Sequence, residues 1–304
     1  MAEVLASSDG EIRRFILERH AVRGFWIRLE EAWRELRGLH RYPVAVETLL
    51  GEAVSASLLL AATLKFHGTL TLQLAGDGLV SLLVAQCTHE FGVRAVARFD
   101  GRTQGAADFR QLVGDGCLTV TIEAEERAAR YQGIVALAGS SLAECLEGYF
   151  TTSEQLPTRL ALAVDAASAG GVLLQKTPPR GAEGEALAAA SQEVWESVQR
   201  RLATLDPALL RLGSAEEVLR HLCAEYDCRL FQGAPARFDC RCSEGRVAGL
   251  LRSLGSAEMR SILQEQGAVT VTCEFCGRPY RFDAIDVDRL FTEGTSPDAP
   301  QSLN

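Results

Sequence analysis

The sequence predicts an α+β fold: an N-terminal antiparallel sheet packed with helices, a helical linker, and a small cysteine-rich C-terminal domain. Three observations predict it. Short apolar runs broken by turn residues fill 1–178 with few helices between them, which suits antiparallel pairing better than a doubly wound parallel sheet. Thr177-Pro178-Pro179-Arg180-Gly181 then interrupts regular structure, because proline neither continues a helix nor donates to a sheet interior. Four cysteines follow as two close pairs, Cys240-Arg241-Cys242 and Cys273-Glu274-Phe275-Cys276.

Residues 12–17 and 22–29 read as strands, the second alternating around Phe25, Ile27 and Leu29. A short helix is predicted over 30–36. Pro43 suits a helix start, and 44–65 is a long apolar helix with Gly68 beyond its end. Leu70, Leu72 and Leu74 alternate with Thr69, Thr71 and Gln73 in a strand that turns at Gly76-Asp77-Gly78. Residues 79–85 and 93–99 continue the meander, and 117–122 and 131–137 add strands. Ser141-Leu142-Ala143-Glu144 reads as a capping box for a helix running to about Phe150. Residues 160–164 and 172–175 close this part.

Beyond the proline break, Leu187, Ala190, Val194, Trp195, Val198 and Leu202 form an apolar stripe at helical spacing. A second capping box, Ser214-Ala215-Glu216-Glu217, leads into Val218, Leu219, Leu222 and Tyr226. This stretch has too little apolar residue for an independent core. Helices over 243–254 and 256–266, with Gly267 as a stop, precede a strand at 269–272, its hairpin partner at 280–282 and a final helix at 284–291. The tail after Glu293 reads as frayed. The expected organisation is therefore 1–178, a helical linker 179–239, and 240–304.

The chain has 304 residues, 47% hydrophobic and 23% charged, which is globular composition and enough for a sizeable core. A net charge of −9 argues against a nucleic-acid surface over the whole chain, since lysine and arginine carry phosphate binding. The longest apolar run, 53–64, is too short to span a bilayer, so no membrane partner is expected. The first ten residues lack the basic and apolar regions of a signal peptide. Nine cysteines without an export signal point to a reducing cytoplasm, and an odd number does not suit a closed disulfide framework.

Two close cysteine pairs at separated places are how a tetrahedral four-thiolate zinc site is assembled, and Cys273 lies 31 positions after Cys242. Gly277 suits the tight turn of a metal knuckle. The expected ligands are Cys240, Cys242, Cys273 and Cys276, with one Zn2+ per chain, making 240–304 a zinc-binding domain. A redox-catalytic pair at Cys273 and Cys276 is the weaker reading, because Gly277 and Pro279 follow where a helix N-terminus would lower the thiol pKa.

The sequence resembles the redox-regulated 33-kDa heat-shock chaperones of bacteria. The two pairs and their spacer carry the resemblance, with Val271-Thr272 before the second pair and Tyr280 and Phe282 after it. It extends through His20-Ala21-Val22-Arg23-Gly24, Tyr42-Pro43, Leu50-Gly51-Glu52, Ala62-Thr63-Leu64-Lys65-Phe66, Arg130-Tyr131-Gln132-Gly133, Tyr149-Phe150, 153–159 and Gly170-Gly171. The resemblance implies a cytoplasmic, ATP-independent holdase and no enzyme, inactive when reduced with zinc on the four cysteines. It implies that peroxide or hypochlorite joins Cys240 to Cys242 and Cys273 to Cys276 and expels the metal. It implies that the linker, 179–239, is metastable and then unfolds, and that unfolding client proteins are bound, typically by a homodimer. Each such disulfide closes a tiny loop, which constrains little, and neither replaces the long-range tie through the ion. Oxidation should therefore loosen the zinc module and expose the apolar faces around Trp195, Val198, Leu202 and Leu219.

Cys223 and Cys228, in the linker, stand outside this pattern and read as ordinary thiols that could exchange with the motif cysteines. Cys87, Cys117 and Cys145 read as structural thiols. His20, His40, His67, His89 and His221 are scattered, with no helix-spaced partner. Arg13, Arg14, Arg19 and Arg23 read as a solvated strand face, and Tyr149, Phe150 and Leu156 as core with a lesser possibility of a client surface. The rival readings are an enzyme in 1–178 or a zinc-ribbon nucleic-acid binder, each with a purely structural zinc module. No catalytic constellation in 1–178 supports the former.

Overall fold

The computed structural model describes residues 10–101, 108–124, 130–178 and 184–292, the side chains of 130 and 184–189 excepted. The break at Pro179-Arg180-Gly181, the Leu187 side chain and the tail from Glu293 lie outside the described residues. The chain divides into two compact units, Met1–Asp239 and Cys240–Asn304.

The first unit opens with β1 (Gly10–Leu17), β2 (Val22–Leu29), α1 (Glu31–Gly38) and α2 (Val44–Thr63). There follow β3 (Gly68–Gly76), β4 (Val80–Thr88), β5 (Gly92–Phe99), α3 (Phe109–Val113), β6 (Gly116–Ala124) and β7 (Arg130–Ala136). Then come α4 (Leu142–Thr152), β8 (Thr158–Val164), β9 (Ala169–Lys176), α5 (Gly184–Ala203), α6 (Pro207–Leu212) and α7 (Ala215–Leu222). Three short strands close the unit: β10 (Cys228–Leu230), β11 (Ala234–Pro235) and β12 (Arg237–Phe238). The second unit carries α8 (Glu244–Leu254), α9 (Ser256–Gln266), β13 (Val269–Thr272), β14 (Pro279–Phe282) and α10 (Ala284–Thr292).

The predicted α+β class holds. One sheet runs β10-β1-β2-β9-β8, with β11 also on β1; the other runs β12-β5-β4-β3-β6-β7. Pairing is antiparallel except between β12 and β5. Helix α2 packs against strands of both sheets, which explains why it is apolar on nearly every side. It is long and apolar enough to cross a membrane, longer than the 53–64 run suggested, yet 72% of its most apolar window is buried inside the fold. Its side chains, led by Leu50, Leu58 and Leu59, join Phe25, Ile27, Trp33, Leu70 and Leu72 in the larger core.

Strand β2 shows why strict alternation fails here. Phe25 and Ile27 face that core, whereas Trp26 belongs to a second core on the other face of the same sheet. This second core joins Phe15, Leu17, Val22, Trp26, Val172 and Leu174 to Val194, Trp195, Val198 and Leu202 of α5 and to Val218, Leu219 and Leu222 of α7. A Cβ on Gly24 would collide with the buried Phe15 ring on the paired strand, so glycine leaves room for that ring.

The second capping box forms in full: Ser214 accepts from the Glu217 amide, and Glu217 accepts from the Ser214 amide. The first forms only by half. Ser141 accepts from the Glu144 amide, but Glu144 turns back to the amide and hydroxyl of Ser140. Arg13 and Arg23 are not part of a solvated face. Arg13 donates to Glu216 (2.6 Å) and to the Phe231 carbonyl (3.0 Å), and Arg23 donates to Gln175 from two nitrogens. The covering segment, unseen in the local strand pattern, supplies the partners of Arg13.

Glu52 of α2 lines a cavity shared with Glu144, Glu147 and Arg159. Burial lifts its carboxyl to about 7, above its ordinary 4.5. The unfolded chain therefore releases this proton at lower pH than the folded one, and the associated stability is lost as pH rises between those values. Glu52→Gln is expected to be more stable than the parent at pH 8, on the order of 1–3 kcal/mol, with the gap closing by pH 4. Urea unfolding at both pH values measures it.

Candidate metal centre

The second unit is built to bring two short segments together. Strands β13 and β14 pair from Val269↔Phe282 to Thr272↔Pro279. At the hairpin tip the Cys273 amide donates to the Arg278 carbonyl (2.9 Å), and the Gly277 amide donates to the Cys273 carbonyl (2.8 Å). Gly277 has φ +69°, a left-handed conformation that glycine takes without strain. Cys240 and Cys242 precede α8, whose start is capped by Ser243 accepting from the Arg246 amide. The Arg246 guanidinium donates to the Arg241 carbonyl between the two cysteines.

The structure brings all four expected ligands together. The sulfurs of Cys240, Cys242, Cys273 and Cys276 lie within 4.8 Å of one another. Cys240 and Cys273 are 3.7 Å apart, and Cys242 and Cys276 are 3.4 Å apart. Zinc–sulfur bonds of about 2.3 Å in a tetrahedron place sulfurs about 3.8 Å apart. A disulfide needs about 2.05 Å. The cluster therefore has the dimensions of a thiolate cage for a metal ion, and all four cysteines are free thiols.

Its electrostatics are uneven. Burial pushes Cys242 up, but hydrogen bonds from Tyr280, Cys276, Cys240 and Cys273 outweigh that and bring it to about 7. Burial raises Cys240. Burial and the hydrogen bonds it gives its neighbours push Cys276 to about 12. Of these three thiols Cys242 is the most readily deprotonated, and the thiolate is the form in which sulfur binds a metal. Tyr280, which donates to Cys242 Sγ at 3.1 Å, is the functional residue that pattern reading missed. Its signal was its place on β14 opposite Val271, which sets it beside the hairpin tip.

The other candidates fall elsewhere. Cys87 and Cys145 are buried in the larger core, and Cys117 is half-buried in β6. His67 and His89, distant in sequence, have ring centroids 4.8 Å apart, with His89 Nδ1 3.1 Å from the Gly68 amide. Tyr149 lies in the larger core with Phe150 packed against it, and both, with Leu156, also border an apolar cavity of about 260 Å³.

The model of the Hsp33 protein family matches residues 10–283. The chain belongs to the Hsp33 family. Curated relatives are similar along nearly their whole length. The 33 kDa chaperonin of Shewanella sediminis is 39% identical over 294 residues, which is 97% of this chain and 100% of that protein. That of Nitrosococcus oceani is 40% identical over 282 residues, covering 93% and 94%. The crystal structure of the Thermotoga maritima 33 kDa chaperonin shares the fold, with a TM-score of 0.80 at 24% identity, covering 94% of this chain and 99% of that one. The resemblance drawn from the cysteine pairs and their flanking segments thus holds.

Tyr280→Phe removes one hydrogen bond to a ligand sulfur without removing a ligand. Loss of such an outer partner typically costs 10–100-fold in metal affinity. Competition with a chromogenic chelator is expected to show weakening in that range, with one ion per chain still bound.

Proposed function

We propose that the chain is a redox-regulated, ATP-independent holdase. It is off when reduced with one Zn2+ on Cys240, Cys242, Cys273 and Cys276. It is on when peroxide or hypochlorite forms Cys240–Cys242 and Cys273–Cys276 and zinc leaves. The observation that carries this reading is the convergence of four half-buried thiols in a unit with so small an apolar core. Forming each disulfide takes two electrons from a pair of thiolates and reduces one molecule of oxidant, which draws its protons from water, and the bond ties residues already close in sequence. The metal's tie between 240–242 and the hairpin tip is then lost.

The organisation read from the sequence assigns 1–178 to the chaperone core, 179–239 to the metastable linker and 240–304 to the switch. The linker helices α5 and α7 cover the outer face of the β1-β2-β9 sheet through Val194, Trp195, Val198, Leu202, Val218, Leu219 and Leu222. Lifting them uncovers Phe15, Leu17, Trp26, Val172 and Leu174, so both faces become apolar surface for unfolding client proteins. The relatives' name, 33 kDa chaperonin, supports client binding over catalysis. Cytoplasmic residence rests on nine cysteines without disulfide pairing, the absence of nucleic-acid partners on the net charge of −9, and homodimerisation of the active form on the family resemblance.

Zinc and thiol counting before and after peroxide, alongside light scattering of a heat-denatured client, tests this. Reduced protein is expected to hold one zinc and leave aggregation unchanged; oxidised protein is expected to release it and suppress aggregation. Oxidised protein that retains zinc and leaves scattering unchanged removes the proposal. The linker's part is tested separately. Trp195→Ala empties a buried position, costing about 3–5 kcal/mol of local packing. It is expected to lower the temperature at which reduced, zinc-loaded protein suppresses aggregation; no change would mean the α5 cover is not the gate.

A further inference from the structure

We infer that Cys223 and Cys228 form a second, metal-independent thiol pair, which peroxide converts to an intramolecular disulfide at the corner between α7 and β10. The two cysteines lie where the chain doubles back. Cys223 ends α7, its amide donating to the Leu219 carbonyl (2.7 Å), and its own carbonyl accepts from the Tyr226 amide (2.9 Å). Cys228 opens β10 opposite Leu17 of β1. This turn returns both sulfurs to one apolar cluster, Cys223 buried within it and Cys228 packed against it from a half-buried position. Their side chains are hydrogen-bonded to each other. Neither belongs to the four-sulfur cluster.

The two thiols are chemically unequal. The hydrogen bond from Cys223 lowers Cys228, outweighing burial. The same bond, given by Cys223, together with burial, raises Cys223 far above the usual thiol range. The more exposed sulfur is thus the better nucleophile and the buried one a resolving partner held against it. Cys228 thiolate attacks a peroxide oxygen, forming S–O and breaking O–O, and the leaving hydroxide takes a proton to become water. Cys223 sulfur then attacks Cys228 sulfur, losing its proton as S–S forms and S–O breaks, and a second water leaves. Two thiols are oxidised by two electrons and one hydrogen peroxide is reduced to two waters. The bond closes a short loop, so its effect is local: it fixes the end of α7 to the sheet edge.

Full-length zinc-loaded protein is treated with limiting hydrogen peroxide, alkylated, digested with trypsin and mass-mapped. Peptide 221–229 carries both cysteines and no other. It is expected to become two hydrogens lighter and to lose alkylation at both sites. Cys223→Ser is expected to leave Cys228 as a sulfenic acid captured by dimedone, whereas Cys228→Ser leaves Cys223 uncaptured. A peptide that still takes two alkyl groups when the four cluster cysteines are oxidised overturns the inference. So does linkage of either residue to a third cysteine. Zinc content in the same samples reports on the metal centre independently.

Discussion

The convergence of four sulfurs is the constraint on which the second unit depends. Its described part consists of three helices and one two-stranded hairpin. Its buried apolar set is Ala248, Leu251, Met259, Val269, Phe282, Val287 and Leu290. An isolated hairpin is marginal in water, and a core this small offers little surplus over chain entropy. On the proposed reading, a metal ion held by the cluster would add what the core lacks, a tie between the residues entering α8 and the tip of the β13–β14 hairpin. Such a tie could be withdrawn by oxidising the sulfurs, which apolar packing alone does not allow.

The first unit solves a different problem. Its β1-β2-β9 sheet is apolar on both faces. Helix α2 fills one face and α5 to α7 cover the other, largely through Trp195, Val198, Val218 and Leu222. The covering segment has no core apart from this shared one, so its order depends on that surface. Polar ties across this interface include a buried bond from the Ala21 amide to Ser191 Oγ and ion pairs of Arg13 with Glu216, Arg229 with Glu18 and Arg211 with Asp165. Partly exposed ion pairs of this kind are individually weak. The edge strands add three short pairings, β10 and β11 on β1 and β12 on β5. Detaching such a segment uncovers apolar area at once, because the sheet beneath carries Phe15, Leu17 and Trp26 rather than polar residues.

What the sequence made readable was whatever depends on near neighbours. The strands through β9, helices α2 and α4, the full capping box at Ser214, the Gly267 stop with φ +72° and the cysteine pairs all announce themselves within a few residues. What it hid depends on distant partners. Strands β10, β11 and β12 are two or three residues long and have strand geometry only because β1 and β5 offer open edges. Arg13 looked solvated because its partners, Glu216 and Phe231, lie more than two hundred positions away. Tyr280 was visible as an aromatic after the second cysteine pair, but its bond to Cys242 exists only after the hairpin register has set it beside the tip.

Placement sorts the nine cysteines more sharply than spacing does. Cys87 and Cys145 are sealed in the larger core, away from a water-borne oxidant, and burial also raises the Cys145 thiol. The four cluster thiols are half-buried, and hydrogen bonds bring Cys242 down to about 7. Cys228 is half-buried beside a buried partner at a turn. On the readings proposed, one oxidant therefore acts with opposite sign at two places. In the second unit it exchanges a long-range tie for two short loops and loosens the fold. At the α7–β10 corner it adds a covalent bond where only non-covalent contact stood. The sign follows from what the sulfurs were doing beforehand: a thiol that already holds distant chain together is lost to oxidation, and one that merely touches its neighbour is gained.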